Sequence, residues 1–161
     1  MELFHGSNVV VRRPVLLENQ RNLDFGKGFY TTTDYEQARK WAERSARIRK
    51  TGHASVSVFE LQDDCLASLN ILKFDHADEK WLDYITVNRK GINADKYDNW
   101  DIVWGPVVND QTIQTIVLYF DGFLDEQETI KRLLPQKLKD QVAFKTNKAL
   151  EGLKFVREVI L

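Results

Sequence analysis

The spacing of hydrophobic and polar positions predicts strands and helices interspersed along one chain. Residues 53–61 alternate small apolar side chains with serine, which is the period of a half-buried strand. Residues 34–50 instead place apolar side chains at helical spacing behind Asp34, a favourable N-cap. The other predicted strands are 2–6, 29–33, 70–74, 100–104, 141–144 and 154–160, and the other predicted helices are 75–90, 110–120, 125–134 and 147–153. Because these elements show no regular βαβα rhythm, the pattern favours an α+β fold.

Single residues set several of these boundaries. Asp75 and Asp125 are expected to cap the helices that follow them, and Pro135 is expected to end the second of these. Gly105 and Pro106 are expected to close the strand at 100–104. These assignments predict where each element ends without any knowledge of tertiary contacts.

Composition places the chain among ordinary globular proteins. It has 161 residues, 43% hydrophobic and 29% charged, without repeats or linker-like segments, so we expect a single domain over residues 1–161. Its formal charge of -1 gives no bulk-charge argument for binding nucleic acid or membranes. Cys65 is the only cysteine, and no signal-peptide pattern or long apolar run occurs, so a cytoplasmic location is expected. The isolated His53 and His76 predict no metal site.

Three short segments combine into a chemical hypothesis. His5-Gly6-Ser7 ends the first predicted strand, residues 25–30 read Phe-Gly-Lys-Gly-Phe-Tyr, and Gln141 opens a late strand. In this order they resemble the ADP-ribosyltransferase superfamily, in its poly(ADP-ribose) polymerase-like and diphtheria-toxin-like branch. That branch has H-G-[ST], F-G-K-G-[IL]-Y and a strand that opens with glutamate. The chain also resembles a bacterial family with H-G-S and D-F-G-K-G-F-Y-T-T, whose members are predicted transferases and some of which are similar to toxins of toxin–antitoxin pairs.

The resemblance implies a mono-ADP-ribosyltransferase that binds NAD+ as its substrate and uses no metal. The implied fold is a split β-sandwich of two small antiparallel sheets flanked by helices, with NAD+ in the cleft between them. On this basis His5 binds a ribose hydroxyl, the backbone of Gly6 holds the nicotinamide carboxamide, and Ser7 adds a side-chain contact. Such a site suits the reaction, because breaking the nicotinamide–ribose bond develops positive charge that positioning and electrostatics stabilise.

Further residues are assigned to the nicotinamide and the diphosphate by the same resemblance. Tyr30 stacks on the nicotinamide ring, and Trp41, where the branch has a second aromatic residue, lies on the ring's other side. Trp41 has an equally good interpretation as a residue that packs its helix against a sheet. The other implied NAD+-binding residues are Arg21, Lys27 and Gly28, of which the two cations are also ordinary exposed residues.

Gln141 departs from the branch, which has glutamate at this position. A glutamine supplies hydrogen bonds but no negative charge, and losing one such electrostatic contact costs about a hundredfold to a thousandfold in rate. Asp140 is adjacent but faces the opposite side of a strand, so it offers no substitute acid. The alternative hypothesis is therefore a catalytically inactive NAD+ or ADP-ribose-binding module, in which Gln141→Glu is expected to restore turnover.

The acceptor of ADP-ribose is open on the sequence alone. The predicted helix at 34–50 is rich in basic residues, namely Arg39, Lys40, Arg44, Arg47, Arg49 and Lys50. This local charge suits a nucleic-acid or phosphorylated acceptor, or it is a solvated face balanced by Glu36 and Glu43. The expected partners are NAD+, a protein or nucleic-acid acceptor and a small antitoxin protein, without a membrane. A third hypothesis treats the motifs as coincidental and predicts no NAD+ binding.

Overall fold

A computed structural model describes residues 1–20, 23–91 and 99–161, and within them seven strands and six helices are interspersed along the chain. The strands are β1 (Glu2–Ser7), β2 (Phe29–Thr31), β3 (Ser55–Leu61), β4 (Ile71–Lys73), β5 (Ile102–Pro106), β6 (Asp140–Phe144) and β7 (Leu153–Ile160). The helices are α1 (Tyr35–Arg49), α2 (Asp63–Leu66), α3 (Glu79–Lys90), α4 (Ile113–Phe120), α5 (Glu126–Leu133) and α6 (Asn147–Leu150). The α+β class predicted from the sequence is confirmed.

The strands form two small sheets. The first sheet has the order β1-β3-β7 and is antiparallel throughout. The second has the order β2-β6-β5-β4, and its β4–β5 pair is parallel. The expectation of two antiparallel sheets is therefore wrong for β4. Helix α3 lies between β4 and β5 in the chain, and a connection that contains a helix allows two neighbouring strands to run in the same direction.

The two sheets face each other across a hydrophobic core. One cluster of buried side chains joins Leu3 and Phe59 of the first sheet to Ile102, Val142 and Phe144 of the second. Alternate residues of a strand face opposite sides, so Val103 and Ala143 belong to a different cluster on the outer side of the second sheet. The result is two sheets with a shared core and two outer faces that helices must cover.

Helices cover both outer faces. Helix α1 packs Ala38 and Ala42 against Val56 and Val58 of the first sheet. On the second sheet the cover consists of side chains from α3, α4 and α5, namely Trp81, Leu82, Tyr84, Ile85, Ile116 and Leu133. No helix in the described ranges is long and apolar enough to cross a membrane.

The helix caps test the sequence predictions at single residues. Asp34 and Asp125 cap α1 and α5 as predicted, since their carboxylates accept hydrogen bonds from Gln37 N and Glu128 N, each at 2.8 Å. Asp75 does not cap α3, and that prediction is wrong. Asp78 does so instead, because its Oδ1 accepts from Trp81 N at 2.9 Å.

Strand β5 extends further than predicted. Gly105 and Pro106 lie inside it, paired with Gln141 and with Asp140, so the expectation that they close the strand is wrong. A Cβ on Gly105 would lie 3.0 Å from the Cβ of Phe74, which favours glycine within the strand. Proline is tolerated as the last residue because the next bond toward β6 is donated by Val107 N–H, to Lys139 O at 2.9 Å, and not by residue 106. The short helix α2 was not predicted.

Candidate functional site

Strand β1 has an unpaired stretch of backbone at Gly6. Phe4 N–H donates to Thr32 O at 2.9 Å and Thr32 N–H donates to Phe4 O at 3.0 Å, on the side of β1 away from β3. Residues two apart in a strand direct both backbone groups to the same side, so those of Gly6 also point away from β3. No backbone group in the described part of the chain pairs with Gly6 there. Gly6 thus presents a donor and an acceptor beside the contact between the two sheets.

Gly6 also lies directly against α1. A Cβ at this position would be 1.9 Å from Ala38 O and 2.9 Å from Ala42 N, distances that no side chain tolerates. Glycine is therefore required for the helix to approach the strand, independently of any ligand. The same close approach fixes how far the side chains of α1 stand from the open backbone edge.

His5 is held between two residues of β2. Its ring stacks on Phe29 with centroids 4.3 Å apart, and its Nδ1 lies 2.7 Å from Tyr30 O. A carbonyl oxygen only accepts hydrogen bonds, so Nδ1 carries the proton of the neutral ring and Nε2 is left as an acceptor. Burial lowers the pKa of His5, and the charge of Arg49 lowers it further, which outweighs the hydrogen bond to Tyr30. His5 is therefore a neutral hydrogen-bond acceptor near neutral pH.

The lowered pKa of His5 predicts a pH dependence of stability. Below the ordinary value of 6.5, His5 of the unfolded chain takes up a proton that His5 of the folded chain does not, and this favours unfolding. The contribution of His5 to stability is therefore full above that pH and is lost as the pH falls through the folded pKa. For one group the slope is at most about 1.4 kcal/mol per pH unit. We expect the stability difference between wild type and His5→Gln, measured by urea unfolding, to shrink between about pH 7.5 and about pH 5.5. An unchanged difference, or an equal change in the exposed control His53→Gln, would contradict this.

Tyr30 is anchored through its hydroxyl. Phe25 N–H donates to Tyr30 Oη at 3.0 Å, and Tyr30 Oη donates to Gly26 O at 2.7 Å. Burial raises the pKa of Tyr30 well above its usual range, so the phenol stays neutral. Its ring packs at the margin of the core cluster under the second sheet. Stacking of Tyr30 on a nicotinamide ring stays a prediction.

Trp41 lies on the side of α1 that follows the open edge of β1. Gln37, Trp41 and Ser45 are spaced four residues apart and so share one stripe of the helix. Gln37 Nε2 donates to Thr32 Oγ1 at 3.0 Å, at one end of the stripe, and Ser45 Oγ reaches Asn8 at 3.5 Å at the other. Trp41, which is half-buried, stands between these contacts and therefore beside Gly6.

Gln141 shares a face of the second sheet with Tyr30. Tyr30 pairs with Ala143, and Gln141 lies two residues along the same strand, so the side chains of Tyr30 and Gln141 point to one side. Gln141 Nε2 donates to Asp24 Oδ2 at 3.3 Å, and Asp24 Oδ1 accepts from Arg89 Nε at 2.5 Å. Sequence reasoning missed Asp24 and Arg89, because they are 65 residues apart and no local pattern joins them.

Asp140 faces the opposite side from Gln141, as predicted from strand alternation. Its carboxylate accepts hydrogen bonds from Thr33 N at 2.9 Å and from Trp104 Nε1 at 2.8 Å. Gln37 Nε2 also donates to the backbone O of Asp140 at 2.6 Å. Asp140 therefore ties the start of α1 to the second sheet and is directed away from the side of β6 that carries Gln141.

The other predicted binding residues lie at the end of β1 and along the segment between β1 and β2. Ser7 is buried and its Oγ donates to Asn8 Oδ1 at 3.4 Å. Lys27 Nζ donates to Glu18 O at 3.0 Å, and Gly28 N–H donates to the side-chain oxygen of Gln20, also at 3.0 Å. Arg21 lies outside the described residues. The roles assigned to these residues in NAD+ binding stay predictions.

A comparison with models of protein families matches residues 1–155 to a family described as "Protein of unknown function (DUF3990)". The chain belongs to the DUF3990 family. The matched range includes the β1 edge, the turn before β2 and β6, so it contains every residue of the candidate site. No curated protein matches this chain.

A separate cleft opens on the Asp140 side of the DUF3990 chain. Its volume is about 250 Å³, and its lining includes Lys73, Trp104, Lys139 and Asp140. Lys73 Nζ lies 4.9 Å from the centre of the Trp104 ring, and Lys139 forms an ion pair with Asp34 at 2.6 Å. His5, Tyr30 and Gln141 are not part of this lining, so the motif residues lie elsewhere.

The basic residues of α1 are partly neutralised in the DUF3990 chain. Arg39 forms ion pairs with Glu36 and Glu43 along the helix, and Arg49 donates to Asn8 Oδ1 at 3.2 Å. These contacts support the interpretation of a solvated, internally balanced face more than that of a dedicated nucleic-acid surface. In the described ranges no group of three His, Cys, Asp or Glu side chains is placed to hold a metal ion.

Proposed function

We propose that this chain is a mono-ADP-ribosyltransferase with the split β-sandwich of the ADP-ribosyltransferase superfamily. The observation that carries the proposal is the unpaired backbone of Gly6, which lies next to His5 and Tyr30 where the two sheets meet. Backbone pairing between β1 and the end of the β2 segment consists of the single Phe4–Thr32 bridge, and beyond it the contacts to β2 are made by the side chain of His5. The open backbone edge at Gly6 supports a ligand-binding site at this line of contact between the sheets.

The nicotinamide end of NAD+ is matched by Gly6 and its neighbours. A carboxamide has one carbonyl acceptor and an N–H donor, which complement the N–H and C=O of Gly6. Trp41, beside that edge, supplies an aromatic surface for the nicotinamide ring. A backbone clamp with a stacking partner fixes a planar amide more firmly than flexible side chains do.

The ribose end is matched by His5. Its Nε2 is an acceptor for a ribose hydroxyl, and its neutral state avoids repulsion of the positive charge that develops on the ribose. In the reaction the bond between C1′ and the nicotinamide nitrogen breaks, and nicotinamide leaves with the electron pair as a neutral molecule. The acceptor atom bonds C1′ and its proton passes to solvent, so NAD+ is consumed without a metal.

A second candidate function is a catalytically inactive NAD+ or ADP-ribose-binding module. It is favoured by the pairing of Asp24 with Arg89, because the carboxylate nearest to Gln141 is already engaged by a cation. Such a module binds NAD+ without releasing nicotinamide, whereas the transferase does both.

The test combines calorimetry with transfer of label. The full chain is incubated with NAD+ labelled on the adenylate, and with cell extract as the source of protein and nucleic-acid acceptors, and free nicotinamide is measured. Binding together with nicotinamide release and a labelled macromolecule supports the transferase. Binding without release supports the inactive module. Absence of binding overturns both and leaves the motifs coincidental.

Replacement of Trp41 tests the placement of the nicotinamide ring. Trp41→Ala is expected to weaken NAD+ binding about tenfold, which corresponds to one lost aromatic contact. Calorimetric titration measures the change, and Ile48→Ala serves as the matched control because Ile48 is 65% exposed on the same helix. Equal affinities of Trp41→Ala and wild type would remove Trp41 from the site.

A further inference from the structure

Asp24, Arg89 and Gln141 form a polar cluster on the face of the second sheet that carries Tyr30. Asp24 is 6% exposed and Gln141 is 4% exposed, although both side chains are polar. Burial of a polar group costs free energy unless its hydrogen bonds are made within the protein. The bonds inside this cluster therefore decide how each of its groups is oriented.

Asp24 sets the orientation of the Gln141 amide. A carboxylate accepts hydrogen bonds, so the end of Gln141 that lies 3.3 Å from Asp24 Oδ2 is the donor Nε2. Arg89 Nε occupies the other carboxylate oxygen and holds Asp24 in place. Gln141 Oε1 lies at the opposite end of the amide and accepts no hydrogen bond from the residues that the structure describes.

The turn that supplies Asp24 also holds Tyr30. Gly26 N–H donates to Leu23 O at 3.0 Å, which closes the turn, and Gly26 adopts a φ of 78° that favours glycine. Phe25 N–H and Gly26 O bind the Tyr30 hydroxyl at 3.0 and 2.7 Å. One turn therefore orients two residues of the candidate site. The backbone of the turn holds the Tyr30 hydroxyl, and its Asp24 side chain holds the Gln141 amide.

We propose that Asp24 is a positioning residue that holds the Gln141 amide with Oε1 available to accept a hydrogen bond from a ribose hydroxyl of NAD+. The inference rests on the proposed function. It assigns the hydrogen-bonding part of the branch glutamate's role to Gln141, while the negative charge resides one hydrogen bond away on Asp24. This position of the charge also changes the expectation for Gln141→Glu, since the new carboxylate would lie against Asp24.

A charge swap between positions 24 and 141 tests the inference. Asp24→Asn is expected to lower kcat for nicotinamide release about tenfold with little change in KM, because the amide then accepts as well as donates and no longer fixes Gln141. Gln141→Glu alone is expected to bring no gain, because the new carboxylate would lie against that of Asp24 and be repelled by it. The double variant pairs an amide with a carboxylate again and is expected to exceed wild-type kcat about tenfold or more.

Controls separate catalysis from folding. Asp75→Asn is the matched control, since Asp75 is exposed and forms no hydrogen bond with Asp24, Arg89 or Gln141. Urea unfolding of each variant reports on stability, and calorimetry reports on NAD+ binding. If the contact between Asp24 and Gln141 is purely structural, Asp24→Asn lowers the free energy of unfolding, and the double variant recovers that stability without any gain in kcat.

The outcomes distinguish this inference from the proposed function. Wild type that binds NAD+ and releases nicotinamide, with an unchanged kcat in Asp24→Asn or a double variant no faster than Gln141→Glu, overturns the role of Asp24 and leaves the transferase standing. Wild type that neither binds NAD+ nor releases nicotinamide overturns the proposed function and this inference with it. A lowered kcat in Asp24→Asn that the double variant reverses supports both.

Discussion

Gly6→Ala is expected to lower the free energy of unfolding by about 3 kcal/mol, among the larger effects of adding one methyl group. The added Cβ would lie 1.9 Å from Ala38 O and 2.9 Å from Ala42 N, both of them backbone atoms of α1. A flexible side chain would move aside, but backbone held in a helix moves only with the whole helix. The strain therefore falls on the packing of α1 against β1 and β3.

Urea unfolding of Gly6→Ala measures this cost. Gly122→Ala is the control, because a Cβ on Gly122 meets nothing within 4 Å and its φ of 79° leaves only a backbone cost of about 1 kcal/mol. A Gly6→Ala variant as stable as Gly122→Ala would show that α1 yields without cost. It would also weaken the argument that a rigid helix fixes Trp41 beside the edge of β1.

His5→Phe is expected to lower kcat/KM for ADP-ribose transfer by about a hundredfold or more, the largest effect on activity that the proposed function predicts. Phenylalanine keeps an aromatic ring to stack on Phe29 but has neither the Nδ1 donor to Tyr30 O nor the Nε2 acceptor. Activity falls because the ribose of NAD+ is no longer oriented by Nε2, and because the backbone carbonyl of Tyr30 loses its hydrogen-bond donor.

The measurement is nicotinamide release at several NAD+ concentrations, with His53→Phe as the control at an exposed histidine. Circular dichroism and thermal unfolding of each variant show whether the fold is retained. His5→Ala removes the stack as well and is expected to be less stable than His5→Phe. Transfer at the wild-type rate by a folded His5→Phe would exclude His5 from the reaction and remove the main support for the proposed function.

Local signals in the sequence predicted most of the elements. Asp34 caps α1 because its carboxylate and the N–H of Gln37 that it binds are three residues apart. The alternation at 53–61 is confirmed as a strand, β3, because period two is a property of every strand. The expectation that this strand is half-buried is wrong, because α1 covers its outer face and six of its seven residues are buried. Asp75 and Gly105 were misassigned for different reasons. Asp78 offers an equivalent cap three residues later, and Gly105 is accommodated inside β5 by its approach to Phe74, which is distant in sequence.

The residues of the candidate site also fall into two groups, those that the sequence predicted and those that only the structure identified. His5, Gly6 and Tyr30 were predicted from short motifs, and in the structure His5 Nδ1 lies 2.7 Å from the backbone O of Tyr30. Asp24 and Arg89 were not predicted, because their importance depends on a contact between the turn before β2, helix α3 and strand β6. The sequence alone predicted that Asp140 and Gln141 face opposite sides of a strand. It did not predict that Gln141 contacts Asp24.

The sequence by itself determined most of the helices and strands and several of the residues at their ends, because caps, turns and periodicity act between residues a few positions apart. Only the tertiary structure decided that Gly6 has an open backbone edge, that α1 excludes a side chain there, and that Asp24 orients Gln141. Each of these depends on segments brought together by the burial of two hydrophobic faces, and the burial of apolar surface is non-directional until packing selects one arrangement.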